Sequence, residues 1–133
     1  MPIDSVNSTT FNDQSASSVS EINKIPANEM GLDIGPKSID LFSKEILSSK
    51  TILWNGPMGV FEFSNFSEGT ISVGKSICES TEKGAFSLVG GGDSIAAIKK
   101  FNLTYGISYI SSGGGAMLEY LEGKKLPALK ALL

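Results

Sequence analysis

From residue 36 onward the apolar positions fall into alternating rhythms. Pro36 opens a segment that runs to about Ser49, with Pro at a favoured first-turn position. Its apolar residues Ile39, Phe42, Ile46 and Leu47 lie on one face of a 3.6-residue period, which predicts a helix. Thr51-Ile52-Leu53-Trp54 is a short apolar run stopped by Asn55-Gly56-Pro57, which predicts a strand and a turn. A second helix is expected over about 67–82, burying Ile71, Val73 or Gly74, and Ile77-Cys78 on one side. Phe86-Ser87-Leu88-Val89 predicts the next strand, stopped by Gly90-Gly91-Gly92 and followed by a helix from Asp93 to about Phe101. A strand from Ile107 to Ile110, stopped by Gly113-Gly114-Gly115, and a helix over about 116–121 complete the series. Strand and helix in alternation at this spacing imply parallel strands with right-handed crossovers, so the expected class is α/β.

The ends read differently. Residues 1–24 are crowded with small polar residues, and only a short extended segment near Pro2–Val6 and a weak helix over 14–23 are expected there. Residues 122–133 contain Gly, Lys and Pro and end in Ala-Leu-Leu, the pattern of a turn leading to a docked tail.

Composition narrows the chemistry. The 133 residues, 41% hydrophobic and 19% charged, suit one domain or a large piece of one. No apolar run approaches the ~20 residues of a membrane span. Met1-Pro2-Ile3-Asp4 has neither the basic flank nor the apolar core of a secretory signal, and the single cysteine, Cys78, forms no internal disulfide. A cytoplasmic location is therefore expected. The 11 basic residues are all Lys, set against 14 acidic ones for a net charge of −3, which disfavours a nucleic-acid partner. With His absent, Ser-His-Asp and Cys-His catalysis and ordinary zinc sites are excluded. Carboxylates, Lys, hydroxyls and backbone amides remain.

The two triple glycines concentrate those amides. Each ends a predicted strand and opens a predicted helix, and ligands of open α/β sheets bind outside the carboxyl ends of the strands. Glycine lets backbone N–H groups approach an anion, and the helix N-terminus adds favourable partial charge. Two such loops side by side would form a floor of amides suited to more than one phosphate, whereas either alone reads equally well as a tight turn. Neither matches the Walker A or Gly-x-Gly-x-x-Gly pattern. Asp93 reads either as a helix N-cap or as a Mg²⁺ contact. Ser94 reads as a phosphate donor or an extension of the cap. Glu62 reads as a ribose acceptor or a solvated carboxylate, Trp54 and Phe61 as core, and Cys78 as packing.

Gly31-Leu32-Asp33-Ile34-Gly35-Pro36, residues 54–62, 89–94 and 112–123 together closely resemble phosphoglycerate kinase, in that family's order and spacing. The resemblance implies phosphoryl transfer between 1,3-bisphosphoglycerate and ADP, with Mg²⁺, giving 3-phosphoglycerate and ATP in glycolysis. It implies two Rossmann-like domains closing on a hinge, in a family that is usually monomeric. This chain resembles the later part of the nucleotide domain, an incomplete parallel sheet with flanking helices, matching weakly over 5–20. By that resemblance Gly31 and Leu32 border the adenine, Glu62 meets the ribose, and Asn55 approaches the phosphates. Gly91, Gly92, Asp93 and Ser94 hold phosphates and metal, with Asp93 the Mg²⁺ contact. Gly113, Gly114 and Gly115 present amides to the phosphoryl group in flight. Ser94 and Ser112 stand where the family often has Thr, and Tyr109 where His is common. The phosphoglycerate domain, its Arg and the first half of the nucleotide domain have no counterpart in this sequence. The isolated chain is therefore expected to lack turnover, and a non-catalytic nucleotide-binding or complementing module is the alternative.

Overall fold

The protein is described by a computed structural model covering residues 1–132. Strands β1 (Asp4–Ser8), β2 (Ser18–Glu21) and β3 (Met30–Ile34) form an antiparallel sheet of order β2-β1-β3. After helix α1 (Pro36–Ser48), strands β4 (Thr51–Asn55), β5 (Phe86–Gly90) and β6 (Tyr109–Ser111) form a parallel sheet of order β4-β5-β6. Helices α2 (Glu68–Glu82) and α3 (Gly92–Lys100) make its crossovers. Helices α4 (Gly114–Leu121) and α5 (Pro127–Leu132) follow.

The α/β class and the alternation from residue 36 are as the sequence pattern indicates. The antiparallel sheet is an addition. Its strands are short and polar, and β3 contains a glycine, so no apolar run marks them. Ser18–Glu21 is a strand where a helix over 14–23 was expected, because Val6 pairs with Val19 and Asn7 with Ser18. The buried Asn7 side chain also binds the Ser5 and Ser20 hydroxyls. The tail takes helical form over residues 127–132: α5 has no fully buried residue, and its Leu129 lines a cleft together with Tyr120 of α4. Strand β6 starts at Tyr109 rather than Ile107, because residues 104–106 take a 3-10 turn.

The core lies on one face of the parallel sheet. Ile52, Trp54 and Val89 meet Val73, Ile77 and Cys78 of α2, Ile98 of α3, and Leu103. Gly74 in α2 makes this contact possible, since a Cβ there would lie 2.5 Å from Leu103 Cδ1 and 3.5 Å from the Trp54 ring. The opposite face carries Leu53, Phe86 and Tyr109, which are 43%, 50% and 59% exposed. Pairing places Leu53 beside Leu88 and Leu88 beside Tyr109, so these side chains form one apolar row.

Two buried carboxylates join the sheets to the helices. Helix α1 starts after Gly35, which offers no side-chain cap. Asp4 of β1 supplies it instead, accepting the Lys37 and Ser38 N–H groups at 2.9 and 2.8 Å and the Ser38 hydroxyl at 2.6 Å. Burial pushes the Asp4 carboxyl up, but the Ser38 hydroxyl, the two amides and the Lys37 charge outweigh it and hold the group below its ordinary 3.8. Its contribution to stability is therefore complete above that value and lost as pH falls through the depressed pKa. Asp4→Ala should cost about 2 kcal/mol, the upper range for a lost cap, measured by urea unfolding at neutral pH. Asp4→Asn should remove this part of the acid sensitivity; an unchanged acid limb in its melting curve would contradict the role.

Candidate functional site at the strand ends

The parallel register sets Asn55 beside Gly90 and Gly90 beside Ser111, so three strands end together. The chain leaves each through one of the loops singled out above. Gly91 has φ +91° and a Cβ there would lie 2.9 Å from Asn55 Oδ1, so this position is glycine by conformation and by space. Gly114 packs directly on it: a Cβ at 114 would be 2.2 Å from the Gly91 nitrogen and 2.6 Å from its Cα. The two glycine loops are thus in van der Waals contact, as the side-by-side reading requires.

The other glycines of the two loops have no such packing reason. A Cβ at Gly92, Gly113 or Gly115 would meet nothing within 4 Å. All three lie in or beside the first turn of α3 or α4, where backbone N–H groups lack partners within the helix. The helices open earlier than the sequence pattern suggests, at Gly92 and Gly114, so the glycines belong to the helix N-termini themselves.

Asp93 and Ser94 occupy different environments. Gly91 is the N-cap residue of α3 and no side chain caps it, so the capping role for Asp93 is not realised. Asp93 is exposed within the first turn, beside the uncovered glycines. Ser94 is fully buried, and its Oγ accepts the Gly56 N–H at 2.6 Å. It ties α3 to the loop after β4, a bond with no marker in the sequence. Trp54 Nε1 donates to the Gly56 carbonyl at 2.6 Å, so residue 56 is held at both its N–H and its carbonyl.

The loop over 56–62 is also fixed at its far end. The Val60 N–H donates to the Leu32 carbonyl at 2.8 Å, and Lys100 Nζ donates to the Phe61 and Glu62 carbonyls at 3.1 and 3.0 Å. Lys100 also sits 5.9 and 5.6 Å from the Phe61 and Phe101 ring centres. Glu62 is exposed. Trp54 and Phe61 are core, and Cys78 is buried packing. Gly31 and Leu32 lie apart from the glycine loops, along a cleft of about 510 Å³ between β3 and residues 57–60. Gly31 is exposed there, and Leu32 is buried. A larger cleft of about 620 Å³, lined by Tyr120, Lys124, Leu126 and Leu129, contains none of the candidate residues.

Asp33 went without a role in the sequence reading, yet it organises this side of the site. Its carboxylate accepts the Ile34 N–H and the Gly69 N–H, each at 2.8 Å, capping α2 from β3. Cβ atoms at Gly59 and Gly69 would lie 2.4 and 2.3 Å from Asp33 Oδ1. The only signal in the sequence is an acid between apolar residues in Gly31-Leu32-Asp33-Ile34-Gly35, which does not specify a distant cap. Burial pushes its pKa up to about 6, with Glu68 adding to the rise and the two amides opposing it. Because the folded pKa is the higher one, Asp33 adds stability that is complete below 3.8 and lost as pH rises through about 6. This is the opposite sign to Asp4. Asp33→Asn should therefore flatten the decline in melting temperature between those pH values, while a variant with the wild-type slope would show that the carboxyl does not titrate there.

For the arrangement as a whole, the chemistry on offer is anion binding. Unpartnered helix N-termini meet at three strand ends with one exposed carboxylate beside them. Among the described residues no group of three or more His, Cys, Asp or Glu is placed to hold a metal. A Mg²⁺ bound mainly by phosphate oxygens needs only one carboxylate, and Asp93 fits that need.

The family model of phosphoglycerate kinase matches residues 1–124. A phosphoglycerate kinase from Chlorobium phaeobacteroides strain BS1 is 52% identical over 132 residues, 99% of this chain and 33% of that protein. One from Porphyromonas gingivalis is 54% identical over 132 residues, 99% of this chain and 32% of that protein. The solved phosphoglycerate kinase of Coxiella burnetii superposes with a TM-score of 0.89 at 43% identity, covering 98% of this chain and 33% of that one. The chain thus spans about a third of the length of the curated relatives it matches.

Proposed function

The chain belongs to the phosphoglycerate kinase family, and from that premise we propose that residues 1–133 are the later part of its nucleotide-binding domain and hold ADP or ATP with Mg²⁺. The observation that carries this reading is the division among the loop glycines. Gly91 and Gly114 are needed to bring the loops together, whereas Gly92, Gly113 and Gly115 have open space where a side chain would stand. That space, beside the first-turn amides, suits phosphate oxygens.

In this reading Gly91, Gly92 and Ser94 hold the α3 end against the nucleotide phosphates, with the Ser94 hydroxyl positioning the Asn55-Gly56 turn. Asn55, exposed at the end of β4, reaches the phosphates from the side. Asp93 would hold Mg²⁺, which when bound offsets phosphate charge. Gly113, Gly114 and Gly115 direct amides at the phosphoryl group passing between the acyl phosphate and the ADP β-phosphate. The exposed Glu62 carboxylate accepts from the ribose, and Gly31 and Leu32 border the adenine along the β3 cleft. The phosphoglycerate is held by a part of the protein outside this sequence. Half of a two-substrate site forgoes the proximity effect, which supplies roughly 7–11 kcal/mol of barrier lowering. This chain alone therefore binds without turnover, in the cytoplasm, and belongs to a family whose members are usually monomeric.

The exposed apolar face that carries Leu53, Phe86 and Tyr109 favours a second, narrower reading, in which the chain complements a separate polypeptide carrying the rest of the enzyme.

Binding is read from Trp54 emission, since its indole bonds the loop at the site. Millimolar MgADP should change that emission, and no ATP above background should form when acyl-phosphate substrate is added; a flat titration or normal turnover would overturn the respective claim. Gly92→Ala separates function from fold. It should leave stability unchanged or raise it by up to about 1 kcal/mol, because Ala is the better helix residue, yet weaken MgADP binding. Gly91→Ala should lose both.

A further inference from the structure

Asn55 stands out by its chemistry as well as its place, because it is the chain's only asparagine followed by glycine. In such a pair the Gly nitrogen, on losing its proton, attacks the Asn side-chain carbonyl carbon. The bond to the side-chain nitrogen breaks, ammonia leaves, and a five-membered succinimide forms. Water then opens the ring at either carbonyl, giving aspartate or isoaspartate. Glycine favours the reaction because no side chain shields its nitrogen. Asn55 is exposed to the water that completes it.

The fold opposes the first step at three points. The Gly56 N–H is donated to Ser94 Oγ at 2.6 Å, and Ser94 is fully buried. The Gly56 carbonyl accepts from Trp54 Nε1 at 2.6 Å, and Trp54 belongs to the core. Asn55 itself is paired to Gly90 in the sheet, with its Oδ1 lodged against Gly91. Cyclisation has to swing the Gly56 nitrogen onto the Asn55 side chain, and that motion breaks the bond to Ser94. A nitrogen that is donating its hydrogen to a buried acceptor is also harder to deprotonate.

We propose that Asn55-Gly56 is a deamidation and isoaspartate site which the folded chain holds shut, with the buried Ser94 hydroxyl as the lock and the Trp54 indole as its second clamp. Conversion therefore follows opening of the strand end. Isoaspartate at 55 lengthens the backbone by one carbon where β4 leaves the sheet, and replaces an amide by a charge. The inference stands independently of the nucleotide reading.

The test is to incubate wild-type protein, Ser94→Ala, Ser94→Thr and Trp54→Phe in mildly alkaline buffer, with and without urea. Peptide mapping with isoaspartate detection follows residue 55, and circular dichroism checks that each variant is folded. In urea all four should convert at one rate, and folded wild type should be far slower. Folded Ser94→Ala should convert about tenfold faster than wild type, the order set by one buried hydrogen bond, and Ser94→Thr, which keeps the hydroxyl, should match wild type. If Ser94→Ala does not fold, Trp54→Phe carries the test, with acceleration expected from loss of the second clamp. Wild type converting as fast folded as in urea, or no acceleration in the folded clamp variants, would overturn the proposal.

Discussion

The arrangement of this chain depends on two carboxylates placed where helices need caps that their own sequences do not supply. Helices α1 and α2 begin after Gly35 and Ser67, neither of which gives a side-chain cap. Asp4 and Asp33, on neighbouring strands of the antiparallel sheet, reach across to cap one helix each. Three glycines exist to admit them: a Cβ at Gly35 would fall 2.3 Å from the Asp4 carboxyl carbon, and Gly59 and Gly69 stand equally close to Asp33. These bonds join the small antiparallel sheet to the helices, beside the apolar anchor that the buried Leu32 and Ile34 of β3 provide. With them it becomes the wall against which the 56–62 loop is pinned, since Leu32, next to Asp33, receives the Val60 N–H.

The two acids do the same structural task under opposite electrostatic balances. Asp4 receives two amides, a hydroxyl and the field of Lys37, and its charge is favoured. Asp33 receives two amides but is more deeply desolvated and faces Glu68, and its charge is disfavoured. A buried carboxylate with an incompletely compensated charge is costly, so above about pH 6 the Asp33 charge offsets part of the stability its cap provides. The fold thus spends stability where the candidate site is built.

How much of this was legible in the sequence divides along a physical line. The parallel sheet was readable because Thr51-Ile52-Leu53-Trp54 and Phe86-Ser87-Leu88-Val89 are compact apolar runs ended by glycine, and α2 because Val73, Ile77 and Cys78 keep helical spacing. The antiparallel sheet was not, because Asp4–Ser8 and Ser18–Glu21 owe their strand form to pairing partners and buried side-chain bonds, not to hydrophobic alternation. Within the site, the glycine loops were legible as loops. Which glycines are structural and which face open space was not, since that depends on Gly114 meeting Gly91 across two strands. The Asp33 cap and the Ser94 bond to Gly56 span 36 and 38 residues, and no local pattern encodes such contacts.

A site made from strand ends and helix N-termini has a consequence for a chain that spans a third of its relatives. Backbone amides are positioned by the sheet and the first helical turns, so they need only the local fold to be correct, and here β4, β5, β6, α3 and α4 are all present. Chemistry between two substrates needs in addition a second surface at a fixed distance, and nothing in these elements supplies one. The molecule separates the two requirements: the strand ends and first helical turns of the proposed anion-binding floor lie within it, while the apolar row on the outer face of the sheet, Leu53 beside Leu88 beside Tyr109, is left largely open. Binding and turnover are therefore expected to part company in this chain for a geometric reason, since the amides that recognise a phosphate are local and the groups that would bring a second substrate to it are not.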